Sequence, residues 1–280
     1  MRVEWRSLDD LTALCRANVG RVRELKPDVI VGIPRSGMLP ATQLALALGL
    51  PLADLHSFCR GDVWARGGGS CGLLPGKRVL LVEDATGYGK SMRGAVARVK
   101  DEFDDTVELI TCGVYATPAA VPKLDIALEA LARPRLFEWN WWRNGWLDQC
   151  CVDIDGVLCE DPTREQRNDE RLYLEFLTGA KPLFVAKKPI HALVTARRER
   201  YRSQTVEWLA RHGIQYSYLF MQTDDAPRLG IHHAEMKARV YGSSPAARLF
   251  LESSEAQAAH IFERCRKDVL CITTRKLFKC

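Results

Sequence analysis

Two short stretches pair acids with glycine at the end of an apolar run, and both could act on phosphates. Residues 79–92 read VLLVEDATGYGKSM, and residues 150–162 read CCVDIDGVLCEDP. In the first, Glu83 and Asp84 close the run, and the loop Thr86-Gly87-Tyr88-Gly89-Lys90-Ser91 follows. Adjacent carboxylates accept hydrogen bonds from vicinal hydroxyls such as those of a ribose. The loop presents backbone N–H groups and a helix N-terminus to a phosphate. An ATP P-loop requires G-x-x-x-x-G-K-[ST]. Gly89-Lys90-Ser91 satisfies its end, but Asp84 stands at its first glycine, where a carboxylate repels phosphate. In the second stretch Asp153 and Asp155 stand two apart at a strand end and Gly156 follows at once. That order excludes an EF-hand loop, which keeps its glycine further from the first acids.

Such acids are useful only when rigid elements aim them. Leu8, Leu11, Leu14, Cys15, Val19 and Val22 share one face of a helix expected over 8–25. Strands are expected at 28–33, 52–58, 78–84 and 107–116, with helices at 40–49 and from Ser91 to Phe103. A Gly-rich loop occupies 60–76. A second alternation begins with a strand at 149–155, then a helical 165–178, a strand at 191–197 and a helix through Arg211. Strands at 214–221, 247–253 and 268–273 and helices at 234–241 and 255–266 complete it. Alternation of this kind implies an α/β fold with parallel sheets covered by helices on both faces. The expected organisation is a first domain at 1–136, a Trp-rich connector at 137–147 and a second domain at 148–280. The connector holds Trp139, Trp141, Trp142 and Trp146, which suit a clamp between domains. Trp64, Trp139 and Trp142 could instead stack on a planar ring.

The 280 residues carry 40 basic and 35 acidic side chains, well mixed, so the charge of +5 implies no nucleic-acid partner. Hydrophobic content of 47% suits globular cores, yet no apolar run is long enough to span a membrane. The N-terminus lacks a secretory signal core. The ten cysteines include no C-x-x-C pair, so no zinc site is signalled, and reduced thiols in the cytoplasm are expected. His232-His233-x-Glu235 is a weak metal pattern, because adjacent histidines face different ways on a helix.

The first stretch resembles the loop of type I phosphoribosyltransferases that binds phosphoribosyl pyrophosphate (PRPP), hydrophobics-[DE]-D-x-x-[ST]-T-G-x-[ST]. Glu83, Asp84, Gly89 and Ser91 match, while Gly87 and Tyr88 stand where Ser/Thr-Thr is usual. IVGIPRSGMLPA (30–41) resembles that family's pyrophosphate loop. The resemblance implies that Arg35, Ser36 and Gly37 hold pyrophosphate and that Thr86 to Ser91 hold the 5′-phosphate. It also implies a flexible catalytic hood at 60–76, with Arg60 and Arg66 neutralising the leaving group. The second stretch resembles the first motif of haloacid dehalogenase (HAD) phosphatases, and Thr195, Lys237 and Glu252 match the later motifs in order. By that resemblance Asp153 is the nucleophile, Asp155 the general acid and base, and Thr195 and Lys237 stabilise phosphoryl oxygens. Mg²⁺ would be held by Asp153, Glu252 and the Asp155 backbone carbonyl, with Ser253 where a second acid is common. A Rossmann-like HAD domain with a small cap is implied, since 156–190 is short for a large one. Together the pair resembles phosphoribosyltransferase–HAD fusions of tellurium-resistance clusters and phages. Such a fusion implies transfer of phosphoribosyl from PRPP to a base-like acceptor, then removal of the 5′-phosphate to leave a nucleoside. The alternative is a PRPP- or nucleotide-sensing first domain controlling the phosphatase. A homodimer is compatible with either.

Overall fold

A computed structural model describes residues 3–65, 77–87, 89–104, 106–226 and 230–279. By its internal contacts the chain divides into two units, Arg6–Arg135 and Met1–Trp5 with Leu136–Cys280. A short strand β1 (Glu4–Arg6) precedes α1 (Leu8–Glu24). Ser7 starts α1 with a reciprocal cap: its hydroxyl accepts from Asp10 N, and the Asp10 carboxylate accepts from Ser7 N. The helix buries Leu11, Cys15 and Val22 of the expected face.

Three βα steps and two further strands follow. They are β2 (Val29–Gly32), α2 (Met38–Leu48), β3 (Leu52–Asp54), α3 (Leu55–Cys59), β4 (Lys77–Thr86), α4 (Lys90–Phe103), β5 (Val107–Ala116) and then β6 (Ile126–Ala130). The strand expected over 52–58 stops at Asp54. The Asp54 carboxylate accepts from His56 N at 2.8 Å and Ser57 N at 3.1 Å, and this cap turns the apolar run that follows into α3. Strand β6 was hidden by its short, mixed sequence IALEA. The sheet order is β3-β2-β4-β5-β6, and every pairing is parallel. The winding therefore reverses between β2 and β4, the crevice where doubly wound sheets bind ligands.

The second unit contains β7 (Arg135–Phe137) from its second residue on, then β8 (Cys150–Val152), α5 (Arg164–Asn168), α6 (Glu170–Gly179), β9 (Ile190–Arg198), α7 (Arg202–Arg211) and β10 (Tyr216–Gln222). It ends with α8 (Gly230–Ser243), β11 (Leu249–Glu252), α9 (Glu255–Cys265), β12 (Val269–Cys271) and β13 (Lys276–Phe278). Its sheet order is β10-β9-β8-β11-β12-β13, parallel except for β13, which the sequence reading did not foresee. Here the winding reverses between β8 and β11. The stretch read as a connector is part of this unit. Trp141 is buried and packs on Phe184, and Leu147 shares a core with Cys150 and Val152. Cys150 and Cys151, fully buried at adjacent positions of β8, pack into the cores on its two faces.

Candidate functional site

In the first unit the turn after β2 and the loop after β4 meet at the switch point. Ile33 N donates to Val82 O at 2.9 Å, which ties the turn to β4. Met38 N and Leu39 N donate back to Arg35 O and Ser36 O, at 3.2 and 3.0 Å, and so start α2. Gly37 is required by close approach: a Cβ there would lie 2.5 Å from Ile33 O and 2.7 Å from Val82 O. Arg35 is exposed and Ser36 half-buried, and the peptide joining Pro34 to Arg35 is cis.

Glu83 and Asp84 are both buried at the end of β4. Thr86 Oγ1 donates to Glu83 Oε2 at 3.1 Å, and the Ser91 side chain bonds the same carboxylate. Burial pushes the Glu83 carboxyl above its ordinary range, against the pull of those two hydrogen bonds. Arg135, absent from the sequence reading, is buried nearby and donates to Tyr115 O at 3.0 Å and Leu131 O at 3.2 Å. Burial lowers its pKa to about 10, while the charges of Asp84 and Glu83 oppose that shift. Gly89, at φ +70°, is the left-handed residue that opens α4, followed by Lys90 and Ser91. Thr117 Oγ1 donates to Gly87 O at 2.9 Å and fixes the start of the loop. Tyr88 and Arg66 lie outside the described residues. Arg60 is exposed and pairs loosely with Asp62 at 3.4 Å.

At the second switch point three of the expected residues meet: Asp153 just after β8, Lys237 of α8 and Glu252 of β11. Lys237 of α8 is buried, and its Nζ donates to Asp153 Oδ2 at 2.6 Å, Glu252 Oε2 at 2.7 Å and Gln257 Oε1 at 3.0 Å. The other oxygens of the two acids accept backbone N–H groups: Ile154 N reaches Asp153 Oδ1 at 2.8 Å, and Ser253 N and Ser254 N reach Glu252 Oε1 at 2.9 and 3.0 Å. Thr195 is fully buried on β9, and its Oγ1 accepts from Arg197 N at 3.2 Å. One ammonium faces two carboxylates, so the cluster carries surplus negative charge. Burial raises the Asp153 pKa, with Lys237 opposing and Glu252 and Asp155 adding to the rise.

The Asp155 side chain has a partner of its own. Its carboxylate faces Arg197, which donates Nη2 to Oδ1 at 2.6 Å and Nε to both oxygens at 3.1 and 3.2 Å. The Asp155 carbonyl, and not this carboxylate, is the oxygen expected on Mg²⁺, and among the described residues no three His, Cys, Asp or Glu side chains converge as a metal cluster. The oxygens that remain are the Asp153 and Glu252 carboxylates and the Asp155 carbonyl, to which Ser253 Oγ donates at 3.3 Å. Two hard carboxylates, one carbonyl and surplus negative charge suit Mg²⁺ in their chemistry. Gly156, at φ +75°, lets the Ser253 side chain reach this carbonyl, since a Cβ would collide with it. Glu235 pairs with His260 at 2.9 Å and Arg264 at 3.0 Å, which leaves the His232-His233 pattern without its acid.

Solved structures similar to the chain include a purine phosphoribosyltransferase from Pyrococcus horikoshii, 25% identical, covering 50% of this chain and 94% of that one with a TM-score of 0.39. A xanthine-guanine-hypoxanthine phosphoribosyltransferase from Helicobacter pylori is 17% identical, covering 49% and 92%, with a TM-score of 0.38. No protein of curated function matches the chain significantly. Among the described residues no helix is long and apolar enough to cross a membrane. The sequence model of the phosphoribosyl transferase domain matches residues 5–142, which span both loops of the first switch point, and that segment is a domain of this family.

Proposed function

We propose that the chain is a bifunctional enzyme that joins a base-like acceptor to phosphoribosyl from PRPP and then removes the 5′-phosphate. The match of residues 5–142 to the phosphoribosyl transferase domain supports the first step. Glu83 and Asp84 accept the ribose hydroxyls, the Thr86–Ser91 loop takes the 5′-phosphate, and Arg35, Ser36 and Gly37 take the pyrophosphate. The acceptor nitrogen bonds C1′ as the C1′–O bond breaks, and the electron pair leaves with pyrophosphate. Buried carboxylates beside the ribose favour positive charge developing on the ring.

The meeting of Asp153, Lys237 and Glu252 at the second switch point, with the buried Thr195 on β9 beside β8, supports an HAD-type phosphatase step. An Asp153 oxygen attacks phosphorus, the ester P–O bond breaks, and Asp155 supplies the proton to the departing alkoxide. Asp155 then takes a proton from the water that hydrolyses the acyl phosphate. Lys237 and the Thr195 hydroxyl stabilise phosphoryl oxygens. Mg²⁺ held by Asp153, Glu252 and the Asp155 carbonyl would lower the repulsion between carboxylate and phosphate.

Pyrophosphate release tests the first step. Wild-type protein incubated with PRPP, Mg²⁺ and pooled purines, pyrimidines and orotate releases it, and Asp84→Asn loses most of that rate. PRPP binding with no release by wild type would contradict transfer and favour a sensing domain.

A further inference from the structure

The loop that opens α4 carries a cation the family motif does not predict. A Cβ at Gly87 would overlap Nη2 of Arg133, so the guanidinium lies against the Gly87 backbone in space that any other residue would fill. Hydroxyls around the loop are committed elsewhere. Thr86 and Ser91 both bond Glu83, and Thr117 Oγ1 donates to Gly87 O. Arg133 is also well placed by its chain. Leu131 N donates to Ala116 O at 2.7 Å, tying the segment to the end of β5. Two residues later the buried Arg135 is pinned by Tyr115 O and Leu131 O. Arg133 itself is exposed between these anchors. Two further cations stand at the loop's other end, Lys90 and Arg93, the latter with Nη1 3.3 Å from a Cβ built on Gly89.

We infer that Arg133 is the side-chain donor that holds the 5′-phosphate of the ribosyl substrate between Gly87 and the N-terminus of α4. The inference rests on the reading that this domain binds PRPP. A phosphate seated on this loop meets backbone N–H groups and the N-terminus of α4. With the neighbouring hydroxyls turned onto Glu83, the guanidinium at Gly87 supplies the charge-assisted donors, and its planar fork matches phosphate oxygens. The choice of glycine at position 87 follows: its missing side chain admits the guanidinium. Loss of the hydroxyl usual at that position is thereby offset by a donor from a distant part of the chain.

Calorimetric titration of the full chain tests this with three probes: PRPP, ribose 5-phosphate and pyrophosphate. Arg133→Ala is expected to weaken PRPP and ribose 5-phosphate by about 10- to 100-fold, the scale of hydrogen bonds to a charged group. Pyrophosphate binding stays within about twofold of wild type. Gly87→Thr displaces only the far end of a flexible side chain, so it folds, and it weakens the two ribosyl ligands to a similar degree. Because both changes remove one contact, Gly87→Thr/Arg133→Ala is no weaker than Arg133→Ala alone. Circular dichroism on each variant separates misfolding from lost binding, and Arg133→Lys retains part of the affinity if charge alone contributes. Unchanged ribose 5-phosphate binding by Arg133→Ala overturns the assignment, as do an equal loss for pyrophosphate and additive losses in the double variant. Wild-type protein that binds neither PRPP nor ribose 5-phosphate overturns the functional reading, and this assignment with it.

Discussion

Replacing Lys237 by Met removes the ammonium that contacts both Asp153 and Glu252 while filling a similar volume. Lys237 is 1% exposed, Asp153 5% and Glu252 0%, and the two contacts are 2.6 and 2.7 Å. Two buried carboxylates would then face one another with no counter-charge. Breaking a buried pair in this way costs about 3–5 kcal/mol. Asp153→Asn should behave differently: it leaves Lys237 paired one-to-one with Glu252 and still offers an acceptor, so the change should stay within about 1 kcal/mol. The double variant Lys237→Met/Asp153→Asn should recover part of the loss, because only one carboxylate stays unpaired. The assay is denaturant unfolding followed by tryptophan fluorescence, fitted as two transitions because the chain has two units. All tryptophans except Trp64 lie in the unit that holds Lys237, so the signal reports mainly on that unit. A loss below about 1 kcal/mol for Lys237→Met, or no recovery in the double variant, would refute the charge argument.

The same cluster sets a pH dependence. A carboxyl whose folded pKa is raised contributes stability that is full below its unfolded pKa and is lost as pH rises through the folded value. Burial raises Asp153 to about 8, so thermal stability of this unit should fall between about pH 4 and that value, and Asp153→Asn should flatten that fall; an unchanged slope would count against it. Gly37→Ala should destabilise the first unit by about 1–3 kcal/mol, because its Cβ meets two backbone carbonyls and not a movable side chain; calorimetric melting measures this. Arg197→Ala should lower phosphatase kcat by about 100-fold with a smaller change in KM, since it frees Asp155 from its orienting partner; an equal rise in KM with constant kcat would place Arg197 on the substrate instead.

Much of the architecture was legible because it rests on local signals. The apolar run of β4, the left-handed Gly49 after α2 and the one-sided face of α1 each announce their element. What was missed depends on tertiary or capping effects. Asp54 converts part of an expected strand into α3 by capping two N–H groups, which outweighs the β-like composition of Leu55-His56-Ser57-Phe58. The tryptophan stretch reads as an interface clamp, yet Trp141 and Trp142 pack on Phe184, a partner about forty residues away in sequence that periodicity cannot find. That Asp153, Lys237 and Glu252 meet was legible in the order of the motifs. The turn of Asp155 toward Arg197 was not, because pairing between β9 and the loop after β8 sets it. Arg133 and Arg135 carried only a faint mark: two arginines flanking Pro134 just after a short strand.

The central claim is that one chain makes a 5′-nucleotide and then dephosphorylates it. Mass spectrometry of products from PRPP, Mg²⁺ and the pooled bases tests it most directly, with wild type and Asp153→Asn side by side. Wild type should yield a nucleoside, and the matching nucleotide, carrying the same base, should accumulate only with Asp153→Asn. A nucleotide that accumulates equally with both proteins, or a nucleoside formed equally well by Asp153→Asn, would contradict it.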